Sequence, residues 1–128
     1  MINILMVGLG GFLGSICRYL ATLLSVRLLS FDLLPVGTLF VNITGCLAIG
    51  FLGGLSEARA IFTAETRSLV MVGFLGGFTT FSTFMYENHL QIKSQNYLAS
   101  FGYITLSIFW GFGAVFLALW LVKQVNFD

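Results

Sequence analysis

Residues 73–84 read GFLGGFTTFSTF, with three glycines, four hydroxyl side chains and four phenylalanines in one short stretch. The stretch lies inside the uncharged run 68–86, close to the roughly 20 residues that a membrane-spanning helix needs. Gly73 and Gly77 are four apart, Gly76 sits between them, and Thr79 and Thr80 follow at once. Helix propensity therefore falls to its lowest where the span crosses the middle of the membrane, and a helix interrupted there is expected. Interrupted helices are tolerated at membrane depth only where protein or a cavity satisfies the released carbonyls and amides, and those groups are ready-made ion ligands. The alternative is a continuous helix whose hydroxyls bond back to the preceding turn.

Outward from this stretch the chain has the same character. Uncharged runs cover residues 1–17, resuming at 19–26 after Arg18, then 33–56 and 94–122. Of the 128 residues, 58% are hydrophobic and 9% charged, with a mean hydropathy of +0.98; soluble chains carry about 25% charged residues. The expected architecture is an all-α membrane protein, a single domain over residues 1–128 with four transmembrane helices. Little chain remains for a soluble catalytic domain, and no nucleophile is paired with a base at depth, so neither an enzyme nor a nucleic-acid partner is expected. Transport, conduction and scaffolding remain, with membrane lipid as the surroundings. The first span lacks a basic amino-terminal region and a small-residue cleavage pattern, and is read as retained. Cys17 and Cys46 fall inside spans and read as small packing residues. His89 is the only histidine and reads as a solvated residue just past the third span.

Four spans put the amino terminus, the 57–67 connection and the carboxyl tail on one side, with Arg59, Arg67 and Lys123. The other side holds Arg27, Lys93 and, inside the first span, Arg18. Three cations on each side give the positive-inside rule no preferred orientation. Such a chain is expected to insert both ways, and the natural assembly is then a dimer of oppositely oriented copies.

Within the spans, Gly10 and Gly14 form a GxxxG spacing that permits close helix approach. Arg18 is a charge inside a span, costing about 2.5–3.5 kcal/mol at mid-membrane even on a lenient scale. It must face a water-filled vestibule, a partner or backbone carbonyls, unless it snorkels to the interface. Pro35, in the connection 27–36, suits a helix start. Thr38 and Asn42 are four apart on one face. The Asn42 amide serves either as interhelical glue or as a donor on an aqueous or anionic path, and spacing does not choose between them. Phe81 and Phe84 are three apart and share a face, with Ser82 and Thr83 between them. Packing is the default for both rings, although a ring's positive edge also lets two rings contact a small anion. Glu87 closes the third span and is expected at the interface. Tyr103 and Ser107 share a face of the fourth span, continued by Gly111. Trp110 and Trp120 suit membrane interfaces, although Trp110 lies deep for that role. The 57–67 connection alternates charge signs and reads as solvated.

Three segments, GGFLGSICRY (10–19), GTLFVNITGCLAIGF (37–51) and GFLGGFTTFSTFMYE (73–87), resemble the signatures of the Fluc (CrcB) family of fluoride channels. The resemblance runs through three helices in the right order and effectively covers the chain. It implies an antiparallel, dual-topology homodimer of four-helix subunits in the bacterial cytoplasmic (inner) membrane, with two pores that export fluoride passively. It reverses the reading of the rings: Phe81 and Phe84 are implied to line the fluoride path by their edges, with Asn42 donating along it. Thr38, Tyr103 and Ser107 match a polar track beside the pore, with Thr80 and Ser82 in the same hydroxyl cluster. Carbonyls of Gly76 and Thr79 from both subunits are implied to hold a central sodium ion. Arg18 matches a vestibule arginine and Glu87 an acidic residue near the pore mouth. Gly111 departs from the pattern, lacking a hydroxyl that some relatives carry.

The strongest rival is a small dual-topology multidrug transporter coupled to protons. It needs a membrane-embedded carboxylate, and none lies within the uncharged runs. A non-conducting scaffold would explain the GxxxG spacings but leaves Asn42 and the interrupted span without a task.

Overall fold

The computed structural model describes residues 1–28, 34–59 and 61–125. Helix α1 spans Ile2–Leu28 and α2 spans Val36–Arg59. The third span is composite: α3 (Ala64–Arg67) runs into a π-helix (Ser68–Leu75) and then α4 (Gly76–Phe78), and after an interruption α5 covers Phe81–Lys93. Helix α6 spans Tyr97–Val125. Among the described residues, four helical segments are therefore long and apolar enough to cross a membrane, the third being Ala64–Lys93 taken as one.

The connections follow local chemistry. Pro35 stands immediately before α2, where its carbonyl accepts the amide of Leu39 at 3.1 Å. Of the connection 27–36, Arg27 and Leu28 belong to α1 and Val36 to α2, while residues 29–33 lie outside the described residues. The 57–67 connection is partly helical: α2 continues through Arg59, and Thr63 caps α3 by accepting the Thr66 amide at 3.3 Å, with residue 60 outside the described set. Between α5 and α6 the chain reverses through Gln95, whose φ of 61° is the left-handed conformation common after helix ends. Arg27, Arg59, Lys93 and Lys123 stand in the last turns of their helices and Arg67 in the first turns of the third span, so Arg18 is the cation set deep inside a span.

Two tight pairings build the bundle, α1 against the π-helix and α2 against α6. The first depends on glycine. A Cβ on Gly10 would lie 2.0 Å from the Leu69 carbonyl oxygen, and one on Gly14 would lie 2.1 Å from that of Phe74. From the other side, Gly73 faces the Val7 carbonyl and Gly77 that of Gly11. With backbone on both sides there is nothing flexible to move aside. Gly14→Ala is accordingly expected to destabilise the bundle by at least about 1–3 kcal/mol, read as a lower midpoint of thermal unfolding in detergent. The matching change at Gly113, where nothing approaches within 4 Å, should leave that midpoint unchanged.

The exterior is apolar. Phe12, Leu13, Phe101, Phe109, Phe112 and Phe116 are all exposed, whereas Tyr103 and Val41 are the largest side chains that are fully buried. A surface of this kind suits hydrocarbon, which needs no polar cover. Trp120 lies near the end of α6, as an interfacial ring should. Trp110 sits close to the middle of the helix, half-exposed and packed edge-on against Phe109 with centroids 5.5 Å apart.

The third span is interrupted, but not by its glycines. Gly73, Gly76 and Gly77 all remain helical, and the extended residues are Thr79 (φ −86°, ψ 160°) and Thr80 (φ −150°, ψ 122°). Threonine, branched at Cβ, is comfortable in extended backbone. Two of the three glycines serve close approach to α1 instead.

Candidate functional site

Breaking a helix inside a membrane releases backbone groups that must find partners. Thr79 keeps its helical bond, its amide donating to the Leu75 carbonyl at 2.9 Å, and its hydroxyl donates to the same oxygen at 2.8 Å. At Thr80 the helix is abandoned. Its amide donates to Asn42 Oδ1 at 2.8 Å, while Asn42 Nδ2 donates to the Thr80 carbonyl at 3.0 Å. The asparagine thus mimics a neighbouring strand, pairing both backbone groups of one extended residue. The Thr80 hydroxyl caps α5 by accepting the Thr83 amide at 3.3 Å and donates to the Thr83 hydroxyl at 3.1 Å. Ser82 Oγ stands 3.4 Å from the Thr80 hydroxyl. Arg18, half-buried, donates from Nη1 to the Thr79 carbonyl at 3.4 Å. Of the surroundings open to Arg18, backbone carbonyl is the one it meets. Gly45 makes room for the break, since a Cβ there would lie 2.1 Å from Thr79 Cγ2.

Just beyond the break, Phe81 and Phe84 have centroids 6.0 Å apart and planes at 42°. They do not share one environment, because three residues advance a helix by about 300° and leave the side chains offset. Phe81 is 74% exposed, whereas Phe84 is 8% exposed and meets the Tyr103 ring edge-on at 4.9 Å. Tyr103 is fully buried and donates to Glu87 Oε2 at 2.8 Å; Thr38 donates to Glu87 Oε1 at 2.6 Å. Glu87 is therefore the hub that joins α2, α5 and α6. This corrects its expected place at the end of the span. Helix α5 continues to Lys93, so Glu87 sits more than a turn inside it, half-buried, with both carboxylate oxygens engaged. A carboxylate does lie in the bundle, held by two hydroxyl donors.

Two clefts border these groups. One of about 390 Å³ is lined by Asn42, Cys46, Gly76, Thr79, Thr80 and Phe81. The other, about 240 Å³, is lined by Cys46, Ser107, Gly111 and Phe112. Ser107 Oγ is buried, with no hydrogen-bond partner among the described residues. A Cβ on Gly111 would stand 3.5 Å from Cys46 Sγ, an ordinary contact, so space for a small side chain exists at the position that lacks a hydroxyl. The predicted residues thus fall into three groups: Arg18, Asn42, Gly76, Thr79, Thr80, Ser82 and Phe81 at the break; Thr38, Phe84, Glu87 and Tyr103 behind it; and Ser107 farther along α6.

A family model described as CrcB-like protein, Camphor Resistance (CrcB), matches residues 5–119. The chain belongs to the CrcB family. Its curated relatives include a protein from Gloeothece citriformis named Fluoride-specific ion channel FluC, 46% identical over 125 residues, which are 97% of this chain and 99% of that one. The protein of the same name from Leptospira interrogans is 40% identical over 122 residues, 95% of each chain. Fluoride-specific ion channel FluC 1 of Methanosarcina acetivorans is 39% identical over 117 residues, 91% of this chain and 88% of that one. CrcB membership and the four apolar helices together make this an integral membrane protein.

The sodium site implied for a CrcB chain has a testable donor set. In a continuous helix the Thr80 amide would close on the Gly76 carbonyl; here it goes to Asn42, which releases that carbonyl beside the open cleft. Neutral backbone oxygens suit a hard monovalent cation, and the Gly76 and Thr79 carbonyls fit that class. The Thr79 oxygen is shared with Arg18, and two oxygens fall short of a coordination shell. Among the described residues no group of three His, Cys, Asp or Glu is placed to hold a metal.

The structure adds three polar neighbours to these groups: Thr83, whose amide donates to the Thr80 hydroxyl, and the buried pair Asn88 and Ser100. Asn88 lies one turn after Phe84, and Ser100 lies three residues before Tyr103. Polar residues at helical spacing from two aromatic site residues were the available signal.

Proposed function

We propose that this protein is a fluoride-selective ion channel and not an enzyme. The observation that carries the reading is the interrupted third span, stapled open by Asn42 and followed at once by Phe81 and Phe84, in a chain 46% identical to a protein named as a fluoride-specific channel. Fluoride is small and strongly hydrated, so a pore must replace its water with several weak donors from which it can still leave. Asn42 uses one of its two N–H groups on Thr80 and keeps a second. Ser82 and Ser107 offer hydroxyls, and Phe81 offers a ring edge to the cleft. A narrow path of this kind rejects larger anions.

The working unit in this reading is an antiparallel homodimer with two pores. Three cations on each side leave the chain free to insert in both orientations. An exposed Phe81 beside an open cleft is what a half-site needs if a second copy completes it. In the same assembly the Gly76 and Thr79 carbonyls of two copies would hold sodium between them, and Arg18 would stand at the anion's entrance. The protein would lie in the bacterial cytoplasmic membrane, exporting fluoride that entered as the neutral acid and dissociated in the more alkaline cytoplasm. Expression in a bacterium made fluoride-sensitive by loss of its own exporter should restore growth in fluoride. Unchanged sensitivity, with the protein verified in the membrane, would count against export.

A further inference from the structure

Helix α5 carries both pathway phenylalanines, and the break at Thr79 and Thr80 uncouples it from the helix that precedes it. Its rotation about its own axis must therefore be fixed from the side. Of its residues only Phe84 and Asn88 are buried. Asn88 is 3% exposed; its Nδ2 donates to the Phe84 carbonyl at 2.8 Å, and its Oδ1 accepts from Ser100 Oγ at 2.9 Å. Ser100 on α6 is also 3% exposed and lies about one turn before Tyr103, whose ring meets Phe84. The four residues close a circuit: Phe84 to Asn88 along α5, across to Ser100, along α6 to Tyr103, and back to Phe84 through the rings.

We propose that the Asn88–Ser100 hydrogen bond, together with the Glu87 bonds to Thr38 and Tyr103, is a positioning element that sets the rotation of α5 and so aims Phe84 and Phe81 at the ion path. The inference rests on the channel reading above. Ring contacts tolerate sliding, whereas a hydrogen bond between two sealed polar groups is directional and has no water to replace it. Asn88 itself lies a turn beyond the rings and acts through them.

The test uses full-length protein reconstituted so sparsely that many fluoride-loaded vesicles carry no channel. After valinomycin is added, the amplitude of fluoride release counts vesicles with a working channel, and the initial rate reports throughput per channel. Ser100→Ala, which removes one oxygen atom, should slow the rate about tenfold at unchanged amplitude. Asn88→Leu, which also loses the bond to the Phe84 carbonyl, should slow it at least as much, and the double variant should be no slower than Asn88→Leu alone, because both changes remove the same interhelical bond. Ser100→Thr, which keeps the hydroxyl, should recover the rate. Should Asn88→Leu fail to assemble, Ser100→Ala decides alone. A wild-type rate in Ser100→Ala, or a reduced amplitude at an unchanged rate, overturns the proposal, the second outcome marking a purely structural bond. Absence of fluoride release from the wild-type protein would instead sink the channel reading, and is distinguishable because it precedes any comparison of variants.

Discussion

Phe81→Ile and Phe84→Ile are each expected to reduce fluoride efflux by about 100-fold or more, the equivalent of roughly 2.7 kcal/mol on the permeation barrier. Isoleucine keeps an apolar side chain but removes the ring, and with it the positive edge that an anion can touch. The two variants should differ in stability even though they agree in flux. Phe84 is buried against Tyr103, so its replacement leaves a gap and costs about 1–3 kcal/mol of thermal stability. Phe81 is largely exposed in the single chain, so Phe81→Ile should lower the unfolding temperature less than Phe84→Ile. Efflux measured alongside unfolding in detergent separates loss of function from loss of fold. Wild-type flux in Phe81→Ile would remove that ring from the pathway.

Asn42→Ala is expected to damage the break severely. It leaves the Thr80 amide and carbonyl both without partners at membrane depth, and each stranded group costs about 1–3 kcal/mol. Asn42→Asp discriminates further, because a carboxylate still accepts from the Thr80 amide but cannot donate to its carbonyl. Ionised, it sets a charged oxygen against that carbonyl at membrane depth, so its loss should be at least as large as that of Asn42→Ala. A thermal scan of the three proteins reads this order, and an Asn42→Ala protein as stable as wild type would show that water or a rearranged backbone satisfies Thr80. The expected result bears on function too, since the residue that offers a donor to the ion is the same one that holds the site open.

The sequence makes the interruption foreseeable but divides its cause between the glycines and the Thr79–Thr80 pair. Glycine lowers helix propensity wherever it stands, and only the packing of α1 reveals that Gly73 and Gly77 are there for backbone approach, leaving the break to the threonine pair. The GxxxG spacing at Gly10 and Gly14 was legible because its meaning is local to one helix. The role of Asn42 was half legible: its cost in a membrane demanded a partner, but the partner lies 38 residues away. Glu87 was misplaced because a charge at the end of an apolar run looks like a boundary, and nothing in the run announces that Thr38 and Tyr103 converge on it. The π-helix had no sequence signal at all. Asn88 and Ser100 escaped because their significance depends on how α5 and α6 face each other.

The central claim is that this chain conducts fluoride, and the most direct measurement is efflux from liposomes. Purified protein is reconstituted into vesicles loaded with potassium fluoride, and release is followed with a fluoride electrode after valinomycin; vesicles loaded with potassium chloride and a chloride electrode serve as the control. Fast, valinomycin-dependent fluoride loss with negligible chloride loss is the predicted result. Intact protein in the vesicles with no fluoride release, or with equal release of both anions, would contradict the account.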